Sequence, residues 1–315
     1  MRMNQDPSMD ETQGNVGIEP AAVVPVLLET GGFGDYALLD SGDGEKLERF
    51  GGYTVVRPEP QAMWRRALPR DAWQNADAVF TAGKDEDGDG RWRFGRTLDE
   101  PWTMAFRDVR FLGRFTAFRH VGVFPEQAPH WTWMEKRVSW RSEPPRILNL
   151  FGYTGIASIL LAQAGAQVTH LDASRKAIAW ARENQEASGA DQLPIRWICD
   201  DAMKFVQREQ RRGNRYQGII LDPPKFGRGP KNEVWDLFTD LAEMLAICRS
   251  LLADDASFLV LTAYSIRASF VSMHELMAEQ LSDLPGSIES GELLLREESA
   301  GRRLSTSLFS RWSPT

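Results

Sequence analysis

The chain has 315 residues, room for one large domain or two ordinary ones, and its 42% hydrophobic and 26% charged residues are the balance of a globular protein. A formal net charge of −7 excludes a whole-chain basic field, and with it tight non-specific binding to phosphates, though a local basic patch is still allowed. No apolar run approaches the roughly 18 residues that cross a bilayer, the polar start at residues 1–6 leads into no signal-peptide core, and the two cysteines, Cys199 and Cys248, read as reduced core thiols, so a cytoplasmic protein without membrane contact is expected.

Residues 1–20 are polar and aperiodic, and a disordered tail is expected there. Over 21–120, short apolar or alternating runs (23–28, 36–39, 53–56, 91–94, 115–118) alternate with Gly-rich turns, the texture of an antiparallel β region. Seven of the eleven tryptophans fall between Trp64 and Trp140; they either fill a small core or offer stacking platforms for bases. The Asp85-x-Asp87-x-Asp89-Gly90 turn opens like a calcium loop, but the position that needs a bidentate Glu is Arg96, so no calcium site is expected. The histidines, His120, His130, His170 and His274, show no metal-ligand spacing, and no metal is expected.

From Arg146 onward strands and helices alternate. Strands are expected at 147–150, 167–171, 195–198, 218–221, 257–262, 293–296 and 307–312, and helices at 156–164, 175–188, 203–212, 234–252 and 269–281. This order implies a mostly parallel sheet covered on both faces, with ligands at the carboxyl ends of its strands.

The informative residues fall at those ends. The first strand runs into Asn149-Leu150-Phe151-Gly152-Tyr153-Thr154-Gly155, whose two glycines let backbone pass close to a ligand. This is not the G-x-G-x-x-G of dinucleotide enzymes, which argues against NAD or FAD. The second strand ends in Asp172-Ala173, where a carboxylate either accepts hydrogen bonds from a ribose diol or merely opens the next helix, with Ser174 as cap. After the third strand, Asp201-Ala202 either receives an adenine amino group or caps a helix. The fourth strand ends in Asp222-Pro223-Pro224-Lys225-Phe226. Paired prolines restrict the backbone and leave carbonyls as acceptors beside the Asp222 carboxylate, and Phe226 can stack on a planar substrate. Lys225, Arg228 and Lys231 supply cations near this mouth for phosphate contact.

Together these motifs resemble the class I, Rossmann-like S-adenosylmethionine-dependent methyltransferases, and the N-L-F-x-Y-T-G and D-P-P-K-F forms resemble the bacterial ribosomal-RNA large-subunit methyltransferase group. The resemblance implies an α/β fold with a Rossmann-like seven-stranded, mostly parallel sheet ending in an antiparallel hairpin. The methyltransferase domain would span 121–315, and the smaller β-rich region 21–120 would be available for substrate recognition. It implies S-adenosyl-L-methionine as cofactor, held by Asn149, Phe151, Gly152, Thr154, Gly155, Asp172, Ala173, Asp201 and Ala202. The 121–127 segment is similar to that group's G-x-F-L-D-Q element, with Pro125-Glu126 in place of Leu-Asp, which adds Phe124 and Gln127 as cofactor ligands. Asp222, Pro223 and Phe226 become the catalytic set, with Pro224, Lys225, Arg228 and Lys231 on the substrate. The implied substrate is RNA, ribosomal RNA first; a small-molecule or protein acceptor and a non-catalytic cofactor-binding module are the alternatives. Relatives that methylate carbon 5 of cytosine place a cysteine after the fifth strand, where this chain has Leu261-Thr262-Ala263-Tyr264-Ser265, so transfer to nitrogen, or to oxygen, is expected instead.

Overall fold

The computed structural model describes residues 24–83, 90–264 and 266–315; the expected tail and the acidic residues 85–89 lie outside them. Among the described residues β1 (Val26–Glu29) comes first, followed by a five-stranded sheet. Its strands are β2 (Tyr36–Gly42), β3 (Glu45–Phe50), β4 (Tyr53–Pro58), β5 (Ala78–Ala82) and β6 (Gly90–Phe94), with helix α1 (Arg70–Gln74) before β5. The hairpin β7 (Trp102–Phe106) and β8 (Val109–Gly113) follows, then a 3-10 turn at Pro125–Gln127 and helix α2 (Ala128–Ser139).

The alternating half consists of β9 (Arg146–Leu150), α3 (Ile156–Gln163), β10 (Gln167–Asp172), α4 (Arg175–Ala187), β11 (Ile195–Cys199), α5 (Ala202–Arg211) and β12 (Gly218–Leu221). A short hairpin, β13 (Phe226–Arg228) and β14 (Val234–Asp236), leads into α6 (Leu237–Leu251), β15 (Phe258–Tyr264), α7 (Phe270–Gln280), β16 (Ser287–Arg296) and β17 (Arg303–Ser313). The sheet order is β1-β16-β17-β15-β12-β9-β10-β11, with β17 antiparallel to both neighbours and every other pair parallel.

The seven strands expected after Arg146 are all present, and β1 adds an eighth beside β16. A four-residue strand carries no pattern that names its sheet. The fit is written instead into Gly291, where a Cβ would fall 1.8 Å from the Val26 carbonyl oxygen.

Two expected elements differ. Residues 115–118 form no strand, because Phe115 turns its ring into the cluster of Trp92, Phe94 and Trp102, with centroids 4.8–5.1 Å away. The helix expected from 234 starts at Leu237, since Asp236 caps it through the amides of Phe238 and Thr239 while Val234 pairs with Arg228. Six of the seven tryptophans from Trp64 to Trp140 are structural: Trp73, Trp102 and Trp131 are buried, and Trp64, Trp92 and Trp133 pack against the core.

Continuous apolar strands follow from burial on both faces. Ile147, Ile220 and Val260 pack towards α2 and α3, while Leu148, Ile219 and Leu259 pack with α5 and α6. The five-stranded sheet is locked to this body by polar contacts. The loop after β16 brings Glu297 and Arg302 to Asp40 and Ser41, and the Ser299 amide donates to the Leu39 carbonyl. The same sheet buries an ion cluster: Arg57 donates twice to Glu48 at 2.7 Å, Tyr36 donates to Glu48 at 2.9 Å, and Lys46 pairs with Glu59 at 3.2 Å.

Breaking a buried pair strands its partner's charge. Arg57→Ala leaves the fully buried Glu48 without its guanidinium. A loss of about 3–5 kcal/mol is expected in urea unfolding, and an unchanged midpoint would show that the cluster is not structural.

Candidate active site

The strand registers bring the chemistry to one edge. Leu150 lies opposite both Leu171 and Leu221, and Leu221 lies opposite Leu261. The residues that follow, Phe151, Asp172, Asp222 and Thr262, therefore emerge side by side at the carboxyl end of the sheet.

The turn from β9 into α3 is tightly wound. Phe151, Tyr153 and Gly155 have φ of 58°, 52° and 80°, which non-glycine residues rarely adopt. Gly152 passes so close to β10 that a Cβ would lie 2.4 Å from His170 Cε1, and a Cβ on Gly155 would lie 2.7 Å from the Trp197 ring. Both glycines are thus required by protein packing, whatever ligand the turn faces. The Asp172 carboxylate accepts the amides of Tyr153 at 3.0 Å and Ser174 at 2.8 Å. Desolvation raises its pKa, against the pull of those two amides. Ser174 caps α4, and Asp201, at the edge of the same cleft, caps α5 through the Lys204 amide.

Asp222 sits in a neutral hydrogen-bond network. Thr262 donates to one oxygen at 2.7 Å and Gln127 to the other at 3.2 Å. The cleft walls desolvate the carboxyl and push it up to about 6. Trp235 donates its indole N–H to the Pro224 carbonyl at 2.8 Å, which occupies one of that oxygen's two lone pairs.

These residues line a cleft of about 770 Å³. It gathers Phe124, Gln127, Phe151, Asp172, Ala173, Asp201, Ala202, Asp222, Pro223, Pro224, Lys225, Phe226 and Arg228. Phe226 is 55% exposed. Asn149, Gly152 and Thr154 instead border a smaller inner cavity; Asn149 donates to Ser158 and Thr154 to the Gly122 carbonyl. Gly155 and Lys231 border neither, Lys231 lying between β13 and β14 with its amide on Glu233. Among the described residues no cluster of histidine, cysteine or acidic side chains has metal-binding geometry, and no helix is long and apolar enough to cross a membrane. Both cysteines are free thiols.

Several cleft residues escape sequence reasoning. Glu126 is buried on the 3-10 turn and burial pushes it up to about 7, against the opposing fields of Lys46 and Arg57. His120 is pushed down to about 3 by burial and then by Arg57, Arg119 and Lys46. The Tyr264 and Phe124 rings complete the wall, 5.6 Å apart. The 121–127 segment marks Glu126 only as a departure from its pattern and no local motif marks Tyr264, because the charges around both come from the five-stranded sheet.

Comparison with known proteins agrees with this geometry. Residues 61–270 match a family model described as S-adenosylmethionine-dependent methyltransferase. A crystal structure of a SAM-dependent methyltransferase from Agrobacterium tumefaciens is 59% identical, with a TM-score of 0.89, covering 94% of this chain and 96% of that one. Among curated proteins, ribosomal RNA large subunit methyltransferase I of Aeromonas salmonicida is 29% identical over 49% of this chain and 36% of its own. Methyltransferase K/L of Pseudomonas aeruginosa is 31% identical over 46% of this chain and 19% of its own. The chain therefore spans well under half the length of the curated relatives it matches.

The raised Asp222 carboxyl has a stability signature. A folded-state pKa near 6 against an unfolded 3.8 means that the folded state binds the extra proton, so stability falls as pH rises between those values. Asp222→Asn is expected to melt a few degrees above the wild type at pH 7.5, with the difference vanishing below about pH 4. Equal melting temperatures at both pH values would refute the shift.

Proposed function

The chain belongs to the S-adenosylmethionine-dependent methyltransferases and takes its methyl group from that cofactor; on this premise we propose that it methylates a base nitrogen in RNA, with ribosomal RNA as the first candidate. The observation that carries the reading is the cleft mouth, where the Asp222 carboxylate, an exposed Phe226 ring and the cations Lys225 and Arg228 stand together. A planar base can stack on Phe226, while Lys225 and Arg228 reach for the flanking phosphates. The curated relatives with matching sequence carry ribosomal RNA methyltransferase names.

The cleft fits the cofactor. Asp172 and Asp201 offer acceptors to its ribose and adenine amine, while Phe151 and Ala202 offer apolar contact and Phe124 and Gln127 close the opposite wall. The remaining assigned contacts, Asn149, Gly152, Thr154 and Gly155, act from beneath by fixing the turn. When bound, S-adenosylmethionine supplies a methyl on a positive sulfur whose departure leaves a neutral thioether. The protein's work is alignment, which can contribute roughly 7–11 kcal/mol in well-oriented cases. Phe226 holds the ring plane, the Pro223 carbonyl accepts from the nucleophilic amine, and Asp222, ionised above its pKa of about 6, accepts the proton released at nitrogen. No cysteine is needed: Cys248 is fully buried within α6, and Cys199 ends β11, away from Asp222.

The net charge of −7 favours a second reading, a small-molecule or protein acceptor in the same cleft. Tritium transfer from the labelled cofactor into total RNA, against small-molecule and protein pools, separates the two. Label confined to the RNA pool is expected, and label elsewhere would reject the RNA assignment.

Two variant sets test the roles. Asp172→Ala is expected to weaken S-adenosylhomocysteine binding about tenfold by calorimetry, the loss of a charge-assisted hydrogen-bond acceptor. Asp222→Ala is expected to cut transfer about 100-fold with that affinity within twofold of wild type, whereas the double Cys199→Ala, Cys248→Ala variant keeps its turnover. Loss of turnover in the cysteine double variant, with binding intact, would revive carbon methylation.

A further inference from the structure

The cofactor acids take one side of the cleft. Asp172 closes β10 and Asp201 follows β11, both on one side of β9, whereas Asp222 follows β12 and Tyr264 ends β15 on the other. Neighbouring strands lie about 4.8 Å apart, so Tyr264 stands three strands, about 14 Å, from Asp172. Thr262 faces Asp222, and Tyr264, two residues on, projects from the same side of β15 further past the strand ends. Its ring meets Phe124 at 5.6 Å and His120 at 6.0 Å. This side of the cleft, walled by Phe118, His120, Glu126 and Tyr264, holds none of the residues given to the ribose or the adenine.

Glu126 stands out there. It is 3% exposed and lines the cleft, yet among the described residues no side chain hydrogen-bonds its carboxyl, and the backbone donor that reaches it is its own amide. The cations whose fields fall on it, Lys46 and Arg57, already pair with Glu59 and Glu48. The same two cations are coupled to His120 and Tyr264, which sets all three residues around one spot. A carboxyl kept from water with no partner of its own is the mark of a group that a ligand completes. An ionised carboxyl only accepts, so what completes it carries hydrogen-bond donors.

We propose that Glu126 selects the methyl acceptor by accepting an N–H of the acceptor ring that lies next to the nucleophilic nitrogen. The ring then shows two donors on one edge, an amine to Asp222 and a ring N–H to Glu126, and offers its face to Phe226. A ring nitrogen with a lone pair at that place meets the lone pairs of the carboxylate and is rejected. Glu126 binds and orients, while the proton leaving nitrogen still goes to Asp222. The inference rests on the reading of a planar nitrogen acceptor in this cleft and deepens it by naming the edge that is read.

The test is tritium transfer from S-adenosylmethionine by the full chain at about pH 8, where Glu126 is ionised, into whichever pool takes the label. Glu126→Gln keeps the shape but replaces one accepting oxygen with an amide NH2. Its KM for the acceptor is expected to rise about tenfold, the loss of a hydrogen bond to a charged group, with kcat within about threefold and S-adenosylhomocysteine affinity within about twofold by calorimetry. Guanosine 5′-monophosphate has a ring N–H beside its amine, where adenosine 5′-monophosphate has a bare nitrogen. The first is expected to inhibit transfer at roughly one tenth the concentration the second needs, and Glu126→Gln should close that gap. Glu126→Asp, which withdraws the carboxylate by one methylene, should show the same KM rise even if Glu126→Gln does not fold. An unchanged KM in the folded variants overturns the proposal, and so does equal inhibition by the two nucleotides in the wild type. Lost S-adenosylhomocysteine affinity with an unchanged KM would give Glu126 to the cofactor instead. Label outside RNA would sink the RNA reading while leaving the KM comparison to decide Glu126.

Discussion

The Asp172 carboxylate ties two strand tips together. By accepting the Tyr153 and Ser174 amides it fixes the β9–α3 turn against the end of β10, and the cleft takes its shape from that turn. Phe151 and Tyr153 stand in left-handed backbone that costs about 1–3 kcal/mol each, a conformation that survives only where neighbours over-determine it. Here they do: Gly152 donates to the Leu171 carbonyl, Thr154 to Gly122, and Asn184 to the Thr154 carbonyl. The turn is held by protein contacts, and a fixed turn is what positioning chemistry requires.

The five-stranded sheet contributes charge as well as a wall. Lys46 and Arg57, paired with Glu59 and Glu48, lie behind the cleft rather than in it. Burial keeps His120 neutral and their fields add to it, while at Glu126 the same fields oppose the burial that raises it.

Much of this was legible in the sequence because strand-end motifs are local. The Asn149–Gly155 and Asp222–Phe226 runs, with Asp172 and Asp201, pointed to the carboxyl edge of a mostly parallel sheet, where these residues gather. Even so, the local signals were ambiguous in kind: Asp201 is both cleft residue and helix cap, and the glycines answer to His170 and Trp197 before any ligand. What stayed hidden is what depends on partners far along the chain. Glu126 and Tyr264 become site residues only beside the ion cluster of the other sheet, and Thr262 matters only because its strand runs level with Asp222. Helix α2, with no flanking turn signal and three aromatic or imidazole rings in its first two turns, gave no clear periodicity.

The order in which strands join the large sheet has a kinetic side. Val26 pairs with Gly291, and the Leu39 carbonyl receives the Ser299 amide, so both contacts link residues some 260 positions apart. During synthesis the first strand emerges with no seat, and its seat is made only when β16 leaves the ribosome, nearly the whole chain later. Closure of such distant contacts is slow, and unpaired strand edges invite association with other chains in the meantime. The nascent N-terminal half therefore has every reason to need shielding until the last hairpin is complete.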